Sequence, residues 1–416
     1  MRIQQRRAGS FKESMVRTRT MQRALVAVVM IGGALAAGVW SNELTVRAQS
    51  SPVRFATHVI GGDVAGGYQV TAADLNKDGK VDLIGLGLSR AGDLAWFENP
   101  TWTRHVMATG IVNMINLAPH DVDGDGIPEI GIAHGFATSI ANSPGGVSIL
   151  THGPNVNEPW IRKDIDALPT AHRIRWVNAD GQKKWVLVNA PLIGPTAKAT
   201  DDHAKNAIVY YEAPDWKRQS MTEDEEGVVH GILPTSQAPF GARGAESLLS
   251  ASFLGIFQHR WESGKWVRTR VTAGSPAAWP KSGSSDIAVG RHGNANVLSA
   301  IEPWHGNEVV LYRQDGSSWV RQLLDDQITD GHALAMADFA GDGRSAIVAG
   351  ERGGKRSVYL YWPPAKLGEP WTKEVLDGAM NASGCVTADL NGDKRPDIAC
   401  VAGGTTGVKW YENLGK

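Results

Sequence analysis

The sequence predicts an all-β fold: a seven-bladed β-propeller of four-stranded blades, closed by an N-terminal strand that completes the last blade. Three observations lead there. Short β-rich runs alternate with Gly, Asp and Asn, while helix-period apolar stripes are hard to find. Glycine is abundant at 48 of 416 residues and tryptophan at 15. The second observation is a recurring unit, an aromatic residue two positions before a basic one, followed by an apolar pair. It stands at Trp102-Thr103-Arg104, Trp160-Ile161-Arg162, Trp216-Lys217-Arg218, Trp266-Val267-Arg268, Trp319-Val320-Arg321 and Trp371-Thr372-Lys373, with a weaker copy in RFATHVI from Arg54 to Ile60. The third is a matching series just upstream: LAWFENP, VSILTHGP, IVYYEAP, LGIFQHRWE, VVLYRQDG, VYLYWPP and, at the end of the chain, VKWYENLG. The last unit lacks its fourth strand and the N-terminal copy is a fourth strand without a unit. Ring closure between the two explains both and removes exposed strand edges. The blades are expected at 66–110, 111–168, 169–225, 226–275, 276–328, 329–379, and 380–416 with 53–60, forming one domain over 51–416.

Residues 1–50 differ in kind. Arg2, Arg6, Arg7, Lys12, Arg17, Arg19 and Arg23 precede an apolar run from Ala24 to Trp40, and Val46-Arg47-Ala48 suits a signal peptidase. A cleaved signal peptide is favoured over a retained N-terminal anchor, so the protein is expected to be exported, with no membrane span in its mature form. A formal net charge of -1 gives no electrostatic ground for nucleic acid as a partner. The two cysteines, Cys385 and Cys400, fall on paired strands. Two small buried apolar residues are the favoured expectation and a cross-strand disulfide is the alternative.

The first unit, Tyr68 to Glu98, is the template. Its turn places oxygen side chains at alternate positions, Asp74, Asn76 and Asp78, then Gly79 and Asp82. Alternate side chains of a tight loop converge on one point, as hard oxygen ligands for Ca²⁺ must. Two further turns repeat the set, Asp121-Asp123-Asp125-Glu129 and Asp389-Asn391-Asp393-Asp397, each with a backbone carbonyl expected as an added ligand. A fourth, at Asp338-Asp342-Gly343, has lost its second and last ligands and is expected to bind weakly or not at all. These turns resemble FG-GAP and VCBS repeats, and the resemblance implies structural calcium in a propeller.

A second register begins the innermost strands. Six residues before each turn stand Tyr68, Ile115, His172, His230, Ser285, His332 and Ser383. The second strands end on the same face, bringing His134, His305 and Glu351-Arg352 to that level. Five histidines, His134, His172, His230, His305 and His332, are thus expected around the channel, opposite the calcium turns. Imidazoles near neutral pH serve as base, acid or metal ligand. Arg173, Arg175 and Arg352 suit a carboxylate or an enolate-like charge, although strand alternation can turn Arg173 and Arg175 into the blade interface. Trp304 suits a sugar-ring platform.

AHRIRW at 171–176, VVHGILP at 228–234, SAIEPWHGNEVVLY at 299–312 and GHALAMADFAGDG at 331–343 resemble the propeller of the aldos-2-ulose dehydratases. A looser likeness extends to the seven-bladed propeller polysaccharide lyases, including the rhamnose–glucuronate lyases. The resemblance implies an elimination on a sugar in the channel, with histidines transferring protons and a divalent metal nearby. It stops short of the cupin region that follows the propeller in the dehydratases. The expectation is a secreted sugar lyase or dehydratase with a carbohydrate as substrate. In it His172 or His230 is the base, and a second histidine or Tyr68 protonates the leaving oxygen. Some of His230, His305 and His332 would hold a metal such as Zn²⁺, with Glu351, Arg352 and Trp304 at the substrate. The alternatives are a calcium-stabilised propeller that binds glycans or mediates adhesion without chemistry, and a cell-envelope scaffold.

Overall fold

The computed structural model describes residues 52–61, 64–89, 92–241, 244–403 and 407–416. The expected signal peptide or anchor at residues 1–50 lies outside the described residues. Among the described residues twenty-eight strands form seven four-stranded antiparallel sheets, each meandering outward from an innermost strand. The closing blade joins Ala382–Ala388, Asp397–Ala402 and Val408–Asn413 with the N-terminal strand Phe55–Gly61. That strand pairs antiparallel with Val408–Asn413, from Phe55 opposite Asn413 to Val59 opposite Lys409. Closure continues past the strand ends, where Arg54 N–H donates to Gly415 O at 3.1 Å and Leu414 N–H to Arg54 O at 2.9 Å.

The second strand of each blade is sandwiched between neighbouring blades, which is why those runs are largely apolar. Asp82–Gly87, Ala346–Glu351 and Asp397–Ala402 are buried at every position. Fourth strands lie at the outer edge and are less buried, from half-buried in Thr372–Asp377 to mostly exposed in Ile161–Asp166. The basic residue of the tryptophan unit serves there as a clasp between blades. Arg218 donates to both oxygens of Asp166, each at 2.6 Å, from one blade to the fourth strand of the blade before. Arg268 binds Glu225 at 3.0 Å and Lys373 binds Asp325 in the same sense. A tyrosine of the third strand joins two of these clasps, Tyr211 to Asp166 at 2.6 Å and Tyr361 to Asp325 at 2.5 Å. Elsewhere the charge pairs within one blade, Arg321 with Glu302 and Arg162 with Asp164.

The cysteines depart from the favoured expectation. Cys385 and Cys400 stand directly opposite one another, with Cα atoms 4.1 Å apart, and are joined by a disulfide. Direct cross-strand opposition brings the sulfurs together at the inner edge of the closing blade. Among the described residues no helix is long and apolar enough to cross a membrane.

Candidate functional site

The innermost strands reach the channel mouth through β-bulges. The pairing register skips one residue between Gly67 and Gln69, Ala171 and Arg173, Val229 and Gly231, Gly331 and Ala333, and Ala382 and Gly384. The skipped residues are Tyr68, His172, His230, His332 and Ser383, five members of the predicted register. A bulge bends its strand and re-aims the extra side chain, so these residues leave the alternation of their strands. His305 arrives differently, on a tight turn after the second strand of blade 5. Its φ is +49°, and a Cβ on Gly306 would lie 2.3 Å from Glu302 O, so only glycine closes that turn.

Four imidazoles gather there. Ring centroids of His230 lie 5.0 Å from His172, 4.9 Å from His305 and 5.1 Å from His332, and those of His305 and His332 are 5.1 Å apart. One nitrogen each from His230, His305 and His332 falls within 4.8 Å of the other two. The partners assign most of the protons. His332 Nδ1 faces the Ser383 carbonyl at 2.5 Å and must donate to it, which leaves Nε2 to accept the Tyr68 hydroxyl at 2.8 Å. His230 Nδ1 lies 3.1 Å from Ser285 Oγ and 3.5 Å from Asp286 Oδ2, leaving Nε2 toward His305 Nε2 at 3.2 Å. His172 Nδ1 is buried without a hydrogen-bond partner.

Two arginines bracket the cluster. Arg173 Nε donates to His230 O at 2.7 Å, and its Nη2 sits 3.2 Å from His230 Nε2 and 3.9 Å from Asp286. Arg352 grips Asp330 with both arms, at 3.1 and 2.8 Å, and reaches His305 Nδ1 at 3.0 Å. Burial, reinforced by these cations, holds His172, His230 and His332 well below the usual imidazole range, and His305 falls to about 4. The four rings are therefore neutral at pH 7, with electron pairs available to a proton or a metal. Burial pushes the Tyr68 phenol up, so it stays protonated.

Two cavities flank the cluster. The axial channel, about 520 Å³, is lined by Tyr68, Arg173, Arg175, Asp286 and His332 among others. A wider mouth cavity of about 770 Å³ is lined by Trp304, His305, Asp330 and Lys281 and by Thr200 and Asp201 of the excursion after blade 3's second strand. Trp304 tilts against His305 with centroids 4.7 Å apart, and its Nε1 is buried without a partner.

Three of the expected residues are placed apart from the four-imidazole cluster. His134 ends a second strand, whose side chains lie over the sheet. Its Nε2 meets Ser148 Oγ at 2.6 Å and Arg162 Nη2 at 3.2 Å, and its ring covers Gly146, where a Cβ would be 2.2 Å away. Glu351 is buried, its carboxylate accepting from Thr329 N–H at 2.7 Å, Lys355 N–H at 3.0 Å and the Tyr359 hydroxyl at 2.9 Å, so it braces the loop instead of facing the mouth. Arg175 lines the channel below the cluster, donating to Asn116 Oδ1 at 2.6 Å and Ile174 O at 2.7 Å, and burial lowers it to about 10. Asp286 and Asp330 were not singled out by sequence reasoning. Their adjacency to register residues, Asp286 one after Ser285 and Asp330 two before His332, was the available signal.

The turn rim is built differently. Asp74 caps the N–H groups of Asp78 and Gly79 at 3.2 and 2.9 Å, and Asp389 caps Gly392, Asp393 and Lys394 at 2.8, 3.1 and 2.8 Å. The last acid of the blade 1 turn, Asp82, accepts from Leu75 and Asn99 N–H at 2.9 and 2.8 Å, and Asp397 of blade 7 does the same for Leu390 and Asn413 at 3.0 and 2.7 Å. Burial raises Asp82 to about 6. In the blade 2 turn Asp121, Asp123 and Glu129 bring carboxylate oxygens within 4.8 Å of one another, a donor set suited to Ca²⁺. Asp125 of that turn instead meets His152 at 2.8 Å, and its carbonyl takes Lys77 Nζ at 2.6 Å from the turn of blade 1.

Fold and site together define a seven-bladed β-propeller with a histidine-rich polar site in its axial mouth. Sequence comparison narrows this. Residues 144–315 match the aldos-2-ulose dehydratase β-propeller domain family, and residues 74–132 and 338–400 match the FG-GAP-like repeat. The chain is 23% identical over 341 residues to aldos-2-ulose dehydratase of Phanerodontia chrysosporium, covering 72% of this chain and 37% of that protein. It thus spans little more than a third of that relative's length. The crystal structure of Saccharomyces cerevisiae Sqt1 superposes with a TM-score of 0.53 at 11% identity, covering 83% of this chain and 84% of that one, a likeness of fold alone.

Proposed function

We propose that this protein is a carbon–oxygen lyase for sugars, a dehydratase or polysaccharide lyase that works by β-elimination at the channel mouth. The observation that carries this is the convergence of His230, His305 and His332 nitrogens within 4.8 Å, beside the Tyr68 hydroxyl. Similarity to a dehydratase propeller supports the same class of reaction at a coarser level.

Neutral imidazoles held from three blades fit a borderline divalent ion such as Zn²⁺. Their Nδ1 atoms face oxygen atoms of Ser285, Asp330 and Ser383, which is the outer-shell arrangement that fixes metal-binding histidines. When bound, the ion polarises the substrate carbonyl and stabilises the negative charge that follows proton loss. The protein's own residues divide the remaining work. His172, the imidazole outside that set, takes the proton next to the carbonyl, and that electron pair forms the carbon–carbon double bond. The bond to the β-oxygen breaks, and Tyr68 delivers its phenolic proton to the departing oxygen. Arg352 and Arg173 hold substrate oxygens, and Trp304 receives a sugar ring across the mouth cavity.

We also propose export to an oxidising compartment, supported by the N-terminal basic and apolar pattern and by the Cys385–Cys400 disulfide. A structural Ca²⁺ in the blade 2 turn belongs to the same proposal.

The test is a screen of Zn²⁺- or Mn²⁺-loaded protein against uronate polysaccharides and 2-keto sugars, reading out unsaturated products. Turnover is expected, with His172→Ala and Tyr68→Phe each reducing kcat by about 10²–10⁴-fold at unchanged melting temperature. Glycan binding without any unsaturated product would instead mark a lectin. Full turnover in both variants would remove the assigned proton path.

A further inference from the structure

We infer that Asp330 is the positioning residue that makes His305 a metal ligand, and that Arg352 opposes it. This rests on the metal reading proposed above. His305 Nδ1 has two neighbours, Arg352 Nη2 at 3.0 Å and Asp330 Oδ1 at 3.3 Å, and these two also bind each other at 2.8 Å. They make incompatible demands on the ring. A guanidinium only donates, so its contact needs a bare Nδ1 and puts the imidazole proton on Nε2. There the proton points at His230 Nε2, 3.2 Å away, and blocks the lone pair a metal would take. A carboxylate only accepts, so contact with Asp330 needs Nδ1–H and leaves Nε2 bare.

The other two imidazoles are set differently. The Ser383 carbonyl keeps the proton of His332 on Nδ1, and its Nε2 accepts the Tyr68 hydroxyl. Arg173 Nη2, 3.2 Å from His230 Nε2, needs that nitrogen bare, which leaves the His230 proton to Nδ1, 3.1 Å from Ser285 Oγ. Both rings therefore already carry a bare Nε2, which a metal would take in place of the Tyr68 and Arg173 contacts. At His305 a carboxylate and a guanidinium lie within 3.3 Å of the same nitrogen, and the tautomer that serves a metal is the one Asp330 favours. Transfer of its single proton from Nε2 to Nδ1 converts the ring from a donor toward His230 into a third ligand, and the Arg352 contact is then given up.

The backbone holds the competing groups face to face. His305 and Asp330 both adopt left-handed conformations, with φ of +49° and +53°. Their turns are tied directly, Gly331 N–H donating to Gly306 O at 3.0 Å. Asp330 cannot drift from His305 without breaking that bond. Both residues line the mouth cavity, so an arriving ion meets them from solvent.

Opposite signs for two residues of one ion pair make the inference testable. Zn²⁺ affinity of the full chain is measured by competition with a chromophoric chelator, alongside the visible spectrum of the Co²⁺-substituted protein. Asp330→Asn is expected to weaken Zn²⁺ binding by about 10–100-fold and to alter the Co²⁺ spectrum. Arg352→Met, which removes the competing donor and a nearby positive charge, is expected to tighten it. Weakening in both variants, or change in neither, overturns the inference while leaving the metal reading standing. Equal Zn²⁺ affinity in wild type and in His305→Ala removes the metal reading, and the inference with it.

Discussion

The turn rim and the histidine mouth are both built from clustered polar side chains, yet they are held together by opposite means. Each rim turn draws its acids from nine consecutive residues and anchors them on its own backbone, as Asp74 does on Asp78 and Gly79. The mouth draws His172, His230, His305 and His332 from four blades, and its order depends on bulges and on partners in other strands. Asp82 and Asp397, placed last in their turns, each spend their oxygens on two backbone N–H groups. A conspicuous ligand motif can thus be largely a structural brace, while a site without a local motif gathers the electron pairs and neutral imidazoles that chemistry needs.

Four measurements test that contrast. The largest effect is expected at the blade clasps that keep the mouth assembled. Arg268→Ala leaves the fully buried Glu225 carboxylate without its cation and should cost about 3–5 kcal/mol in denaturant unfolding. A loss below 1 kcal/mol would mean that Ser250 and Ser252, which also donate to Glu225, suffice alone. Next comes the closing blade. Replacing Cys385 and Cys400 together by serine opens a loop of 15 residues and should cost about 3 kcal/mol, read as a lower melting temperature that reducing agent reproduces in the wild type.

The rim comes third. Asp397→Ala orphans two buried N–H groups and should cost about 2 kcal/mol whether or not calcium is present. Asp121→Ala should instead abolish any calcium-dependent rise in melting temperature. If Asp397→Ala mattered only with calcium, the brace assignment would be wrong. A further test concerns pH. His259 is buried between Ser250 and Arg268, and burial lowers it to about 3. The unfolded chain then binds more protons than the native one from pH 6.5 down to about 3, so stability falls as pH falls through that window. His259→Gln should flatten this acid limb, and an unchanged slope would place the titration elsewhere.

Much of this molecule was legible in the chain. The repeated tryptophan unit and its upstream series follow from a blade's need to bury the same faces each time, so the number of blades and the closing strand could be counted. The oxygen ladder of each turn is local and was equally readable. The register of Tyr68, His172, His230, Ser285, His332 and Ser383 could be aligned, because all begin innermost strands. His134 and Glu351 shared that level but not its direction: a second strand aims side chains over the sheet or into the blade interface, and level alone carries no direction. Spacing favoured two buried, unpaired cysteines, and direct cross-strand opposition overturned that by joining them.

The blade, its period and its closure are written in the chain, because hydrophobic alternation and turn chemistry act within a few residues. Which polar residues meet is settled in three dimensions. Bulges at five register positions swing side chains toward the axis, and no residue type announces a bulge. The contest of Asp330 and Arg352 for one imidazole nitrogen exists only once the turns of blades 5 and 6 are tied side by side. Such a site is set by distances between strands far apart in the chain, and those distances are fixed only when the ring closes.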